Sequence, residues 1–198
     1  EENNFLRGVS VTLGSMNAGA VLFASANKID ARILFAEDST AIGVSNLVSG
    51  GIHITESQME ARNTLTETIA GLRLTAGAEK VRGGISASST WFSVPFLPDM
   101  TKPENLHAFT GDRLFNLAAD IRAGTGSVLF FAEAGMDLAG SASAMGVLNL
   151  TDSWAATAGL RVKPSPRVTF NILARHFAPG YIAFHSGAFK DGSGSGNE

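Results

Sequence analysis

The 198-residue chain contains no cysteine, which excludes a disulfide framework and thiolate metal sites. It has no run of about 18 apolar residues, so no transmembrane helix is predicted. Charged residues make up 17% of the chain, below the usual ~25%. Because the net charge is -3 and the pI is about 5.8, no basic excess indicates a nucleic-acid partner.

The hydrophobic residues are distributed in alternation with polar ones. In the clearest segment, Trp154 to Lys163, one face carries Trp, Ala, Ala, Leu and Val, and the other carries Thr, Gly, Arg and Lys. A period of two is typical of a β-strand with one apolar and one polar face. All six prolines fall between the alternating segments, as expected because proline cannot donate to a strand ladder.

The alternation predicts an all-β fold, an antiparallel up-and-down meander of about eleven strands. It would form a transmembrane β-barrel or an open part of one. Residues 1–198 would be a single β-barrel domain. The predicted strands are 7–14, 18–26, 28–36, 66–77, 80–92, 107–123, 127–137, 141–151, 153–163, 167–177 and 181–189.

The connections between these strands predict two different edges of the sheet. The long ones, 37–65 and 93–106, fall on the same edge, together with the loop-like run from 190. Bacterial outer-membrane barrels have this pattern of short turns on one side and long loops on the other. Within 37–65, Thr55-Glu-Ser-Gln58 is a capping box, which predicts a short helix from Glu56 to about Arg62.

The ends of the chain favour a fragment of a longer barrel. The polar N-terminus is not a signal peptide, although a barrel must be exported. The run 191–198 reads as a loop without a closing strand. Eleven is an odd number of strands, whereas bacterial single-chain barrels have even numbers.

Charged residues on the polar faces of the strands are candidates to line a lumen, because an isolated charge that faces lipid is costly. The solvent face of a soluble sheet is the other interpretation. No sequence context marks these carboxylates as catalytic. The candidates are Asp120, Arg122, Glu133, Asp137, Arg161, Lys163 and Arg175.

Catalytic, cofactor and metal sites are not predicted. The four histidines are dispersed, so a metal site lacks convergent ligands. Ser141 and Ser143 lack a nucleophile-elbow pattern. An enzyme would need His53 or His107 beside both a serine and a carboxylate. Gly83-Gly84 does not open a helix after a strand and predicts a bend or bulge.

Aromatic residues lie near several predicted strand ends. Trp91 and Trp154 stand at such ends, as in the aromatic girdles of membrane proteins at the two interfaces. An aromatic platform for a ligand is the alternative.

Residues Gly50-Gly-Ile-His-Ile-Thr-Glu-Ser57, followed by Glu60 and Asn63, resemble a loop in a family of outer-membrane β-barrel proteins of diderm bacteria. Some members carry a helix-hairpin-helix region ahead of the barrel and are named for a competence-type DNA-binding protein. The G-x-H-R-T-E run of the family is matched except at Ile54, where a basic residue is common. Asn105 to Gly111 also resembles a strand entry of these barrels.

The resemblance implies a longer parent protein. The helix-hairpin-helix region is absent from this sequence, so no DNA-binding role follows. The expected protein is therefore an outer-membrane β-barrel with a structural or a transport and channel role. Its partners would be outer-membrane lipid and the rest of the parent barrel.

The alternative is a soluble β-barrel or β-sandwich that binds a ligand. The alternation does not show whether the polar face points into the barrel, as in a membrane barrel, or out to solvent, as in a soluble one. The direction in which the charged side chains point discriminates between the two.

Overall fold

The computed structural model describes residues 6–48, 54–140 and 153–185, without the side chains of 139 and 140. These residues form ten strands, a short α-helix, α1 (Glu56–Glu60), and one turn of 3-10 helix at Pro103–Asn105. Among them, no helix has the length and apolarity needed to cross a membrane. The strands are β1 (Gly8–Gly14), β2 (Ala18–Ile29), β3 (Ala31–Phe35), β4 (Ala41–Leu47), β5 (Leu65–Ala78), β6 (Val81–Phe96), β7 (Gly111–Gly124), β8 (Val128–Gly140), β9 (Trp154–Ser165) and β10 (Val168–Phe177).

Eight of the strands form an antiparallel meander in the order β1-β2-β5-β6-β7-β8-β9-β10. The hairpin of β3 and β4 lies off this path and touches it through one parallel bridge, from Val44 to Phe96. The predicted all-β antiparallel meander is confirmed. The sheet is open, since within the described chain β1 and β10 each pair on one side alone.

The long connections predicted over 37–65 and 93–106 lie at the same edge of the meander, as the sequence predicts. The short-turn edge carries the connections 15–17, 79–80, 125–127 and 166–167. The long-loop edge carries the connections 30–64 and 97–110; β8 ends and β9 begins there, and the chain leaves β10 there, while residues 141–152 and the run from 190 are not described. The α1 helix lies in the first of these connections, where the Gln58 side chain accepts hydrogen bonds from the backbone N–H groups of Ile54 and Thr55.

Three strand predictions need correction or fall outside the structure. The connection predicted over 37–65 contains β4, which pairs with β3 and packs Val44 into the core. The strand predicted over 141–151 lies outside the described residues, and β8 pairs directly with β9. The strand predicted over 181–189 is wrong for 181–185, which is irregular, while 186–189 is not described.

Two prolines lie inside strands, contrary to the prediction that all six fall between them. Pro95 is the penultimate residue of β6, where the register with β7 shifts between Trp91 and Phe96. Pro164 lies beyond Val162, the last β9 residue that pairs with β8. Neither position requires a donor for a regular ladder, which explains why proline is accepted there.

Alternation along the strands gives the sheet two unlike faces. The outer face is the one that carries Leu72, Leu117 and Leu160, and the inner face is the one that carries Arg73, Asn116 and Arg161. The described strands place two Lys or Arg side chains on the outer face, Lys28 and Arg113, and no carboxylate. Its exposed large apolar residues are Val9, Val11, Leu13, Leu22, Leu74, Val81, Ile85, Phe115, Leu117, Ile121, Val128, Phe130, Leu138, Phe170 and Ile172.

The buried core lies on the inner face at the long-loop edge. Leu65, Leu114 and Val44 are its fully buried large side chains. They pack with an aromatic cluster in which the ring centroids of neighbouring residues are 4.9–5.8 Å apart, a separation typical of edge-to-face pairs. The cluster comprises Phe92, Phe96, Phe109 and Phe184. The β3–β4 hairpin is held to the sheet by burial in this core.

Gly84 makes room for an ion pair that crosses three strands. Arg73 Nη2 of β5 lies 2.7 Å from Asp120 Oδ2 of β7, above Gly84 of β6. A Cβ at residue 84 would lie 2.8 Å from Asp120 Oδ2 and 2.9 Å from Arg73 Nη2. The register runs unbroken through Gly83 and Gly84, so the predicted bulge is wrong.

Gly84→Ala is expected to have a free energy of unfolding about 1 kcal/mol lower than that of Gly126→Ala, because the added methyl displaces the ends of the Arg73 and Asp120 side chains and weakens their ion pair. Both side-chain ends can move and the pair is partly exposed, so a larger loss is not expected. The measurement is the midpoint of denaturant unfolding.

Gly126→Ala is the matched control, since a Cβ at residue 126 meets nothing within 4 Å. Gly126 lies in the turn between β7 and β8 and outside the left-handed region of φ, so alanine there reduces the entropy of the unfolded chain without a clash. Equal free energies of unfolding for the two variants would contradict the ion pair that we describe above Gly84.

Candidate functional site on the inner face

A segment that follows β10, residues 178–185, crosses the inner face of the sheet; we name it the strap. It starts at β9, where the Ala178 N–H donates to the Trp154 carbonyl at 2.9 Å. A turn follows, closed by the Tyr181 N–H and the Ala178 carbonyl at 3.0 Å. The strap then passes over β8, β7, β6 and β5 in that order.

Polar groups of β7 and β8 bind both backbone groups of Ile182. Its N–H donates to Asp137 Oδ1 at 3.0 Å, and its carbonyl accepts from Asn116 Nδ2 at 2.9 Å. Asn116 and Asp137 face each other directly across the two strands. Asp137 is 2% exposed, so this hydrogen bond satisfies a buried carboxylate.

The far end of the strap is anchored by an aromatic ring and by a carboxylate. Phe184 enters the aromatic cluster, with its ring centroid 5.2 Å from that of Phe92. His185 Nε2 lies 3.0 and 3.1 Å from the two carboxylate oxygens of Glu67, which is 2% exposed. Because an ionised carboxylate only accepts, Nε2 of His185 is the donor. Two buried carboxylates therefore hold the strap.

Tyr181 lies over β8 where the chain has a glycine. A Cβ at Gly135 would lie 3.1 Å from the Tyr181 hydroxyl oxygen. Burial raises the pKa of the Tyr181 phenol, and the negative charges of Asp137 and Glu133 raise it further. The phenol therefore keeps its proton at neutral pH and remains a hydrogen-bond donor.

Beyond the strap, towards the short-turn edge, the inner face is polar and open. A cavity of about 200 Å³ lies over β7 and β8, with Arg73, Asp120, Arg122, Phe131 and Glu133 among its lining residues. Phe131 interrupts the polar face because its ring covers a glycine of β9; a Cβ at Gly159 would lie 2.3 Å from that ring.

All seven candidate charges from the sequence lie on the inner face. Asp137 binds the strap, and Asp120 pairs with Arg73. Arg175 lies opposite Thr157 near the open edge. Among the described residues, no side chain forms a salt bridge with the remaining candidates, Arg122, Glu133, Arg161 and Lys163.

Sequence reasoning missed several residues of the site. Glu67 and Arg73 alternate with apolar neighbours along β5, so their period of two is a usable signal. No local pattern distinguishes His185 from the other three histidines. Asp112 lies at the long-loop edge, and its Oδ1 is buried without a hydrogen-bond partner in the described part of the chain. No local pattern marks that atom.

The other candidates that lie within the described residues do not assemble into a site. In the described ranges, no group of three His, Cys, Asp or Glu residues could hold a metal ion. His107 forms no hydrogen bond with a described residue. His53, Ser141 and Ser143, which are candidates for a catalytic serine–histidine pair, lie outside the described residues.

Asp137→Ala is expected to release the centre of the strap. It leaves the Ile182 N–H without its acceptor, and a hydrogen bond to a charged group contributes about 1.5–3 kcal/mol. We therefore expect amide exchange at Ile182 to become at least ~10-fold faster. Hydrogen exchange measured at this amide tests the expectation.

Asp120→Asn is the control, because Asp120 is a carboxylate of the same face that binds Arg73 and not the strap. It should leave exchange at Ile182 unchanged. Equal exchange rates in the wild type and in Asp137→Ala would show that the carboxylate does not hold the strap.

Comparison of the chain with protein-family models, with curated proteins and with solved structures gives no match. The resemblance of residues 50–57 to a loop of outer-membrane barrels therefore stays a prediction. The function is argued below from the geometry of the two faces and of the strap.

Proposed function

We propose that this chain forms the wall of a transmembrane β-barrel in a bacterial outer membrane, with the outer face against lipid and the inner face lining the interior. The observation that carries the proposal is the exposure of the apolar face. Val9 is 75% exposed, Ile85 54% and Phe115 39%, all on the outer face. In a soluble antiparallel sheet, the apolar face is the packed one.

The position of charge supports this orientation. A Lys or Arg on the lipid side of a barrel costs about 2–4 kcal/mol at the membrane midplane and little near the interfaces. The two such residues of the outer face, Lys28 and Arg113, lie at the long-loop edge, opposite Thr66 and Trp91. The middle of the outer face carries none in the described strands.

Two tryptophans lie where the apolar surface of the outer face ends, near the long-loop edge. Trp91 of β6 and Trp154 of β9 both lie on the outer face. The Trp154 ring stacks on His176, with centroids 4.3 Å apart. Rings with one polar side are enriched at membrane interfaces, so this placement supports an interface at the long-loop edge.

Strand lengths and connections are also consistent with a membrane wall. The strands β5 to β9 have 14, 16, 14, 13 and 12 residues. About 9–11 tilted residues cross the hydrocarbon layer. Short turns on one edge and long loops on the other are expected of outer-membrane barrels.

Closure of the wall requires partners for β1 and β10, because a membrane barrel leaves no strand edge unpaired. We propose that further strands of a longer parent barrel supply them, in keeping with the resemblance of residues 50–57. The strap then lies inside the barrel near the long-loop edge. Its role is to brace the wall or to narrow a route through it.

The soluble alternative requires a layer that covers the outer face. In the described part of the chain, the core packs on the inner side and no element covers the outer face. This observation favours the membrane proposal over a soluble ligand-binding protein.

A matched pair of variants on β10 tests the proposal. Ile172 on the outer face and Leu173 on the inner face are 66% and 51% exposed. Ile172→Arg is expected to lower the fraction of protein that assembles, because its charge would face lipid. Leu173→Arg should assemble like the wild type.

The measurement is the amount of heat-modifiable protein in the detergent-requiring outer-membrane fraction of cells. Recovery of the wild type as a soluble monomer without detergent would overturn the proposal. Equal assembly of the two arginine variants would contradict the assignment of the faces.

A further inference from the structure

Four cationic residues form a patch on the inner face at the short-turn edge; we name it the basic patch. Its members are Arg82, Arg122, Arg161 and Lys163. Arg82 and Arg122 face each other directly on β6 and β7. The Arg82 guanidinium reaches the turn between β1 and β2, so the cationic groups are spread along the short-turn edge.

Among the described residues, the strand carboxylates nearest to the patch on the inner face, Asp120 and Glu133, form no salt bridge with it. Asp120 lies 2.7 Å from Arg73, outside the patch, and faces Glu133 across β7 and β8. Within the described residues, neither Arg122 nor Arg161 forms a salt bridge. The excess of positive charge on this part of the inner face is therefore compensated by solvent and not by described side chains.

Arg82 is fixed at the short-turn edge by a backbone contact. Its Nη2 donates to the Met16 carbonyl, in the turn between β1 and β2, at 2.7 Å. The guanidinium is thereby held at the edge without loss of its charge.

Charge is segregated along the strands of the inner face. The carboxylates Glu67, Asp112 and Asp137 lie towards the long-loop edge, and two of them bind the strap. Asp120 and Glu133 lie between these carboxylates and the basic patch. The basic patch lies at the opposite edge. The interior therefore has a positive mouth at the short-turn edge, and such a mouth concentrates ions of opposite charge.

We infer that the basic patch makes the interior selective for small anions, so that a route along the inner face carries anions in preference to cations. The inference rests on the proposed function. Guanidinium groups bind carboxylate and phosphate oxygens through paired hydrogen bonds. The small anions that we expect to pass therefore include organic acids and phosphates as well as chloride.

The test is the reversal potential of the purified parent protein, with the strands that close the barrel, in planar lipid bilayers between KCl solutions of unequal concentration. We expect chloride to be more permeant than potassium. The double variant Arg122→Gln, Arg161→Gln should lower the chloride-to-potassium ratio about threefold for each charge removed. That factor combines the effects of one unit charge at ~7 Å in water on chloride and on potassium, which are opposite in sign, and includes screening by ~0.1 M salt, which roughly halves them.

Arg113→Gln is the matched control, because it removes an arginine from the outer face and should leave the ratio unchanged. Heat-modifiability of each variant shows that it has folded. Preference for potassium, or an unchanged ratio in the double variant, would overturn the anion inference while a conducting barrel stands. Inserted, heat-modifiable protein without conductance would overturn the route itself, and the inference with it.

Discussion

The scarcity of charge on one face of the sheet is the constraint on which the rest of this structure depends. Because the outer face is apolar and exposed, the charged residues of the meander strands share the inner face, apart from Lys28 and Arg113 at the long-loop edge. There, Arg73 and Asp120 pair across the gap left by Gly84, and the carboxylates of Glu67 and Asp137 are buried against a segment of the chain. The apolar outer face makes the polar inner face necessary.

The strap shows how a polar interior becomes ordered. A buried carboxylate without partners costs several kcal/mol, and a short segment without secondary structure leaves its own backbone groups unpaired. The hydrogen bond from the Ile182 N–H to Asp137 Oδ1 satisfies both the buried carboxylate and the backbone group of the strap. Phe184 adds apolar burial in the aromatic cluster. The long-loop side of the inner face is thereby closed by protein, whereas the short-turn side stays open and basic.

Much of the fold follows from alternation, since a period of two determines which residues share a face once a strand is recognised. The seven candidate charges reach the inner face for this reason. The alternation does not reveal β4, whose short strand pairs only with β3 and with one bridge to β6. It misreads 181–185 as a strand, because apolar residues that alternate also suit a segment lying across a sheet. The role of Gly84 depends on side chains 11 and 36 residues away in sequence, which no local pattern records.

The central claim is that the outer face lies against lipid, and two adjacent residues of β8 test it directly. Phe130 and Phe131 are 40% and 38% exposed but lie on opposite faces. Since the chain has no cysteine, Phe130→Cys and Phe131→Cys each accept a single fluorescent label. In lipid vesicles, brominated acyl chains should quench the label at 130, and aqueous iodide should quench the label at 131. Equal quenching of both labels by iodide, with none by brominated lipid, would contradict the account.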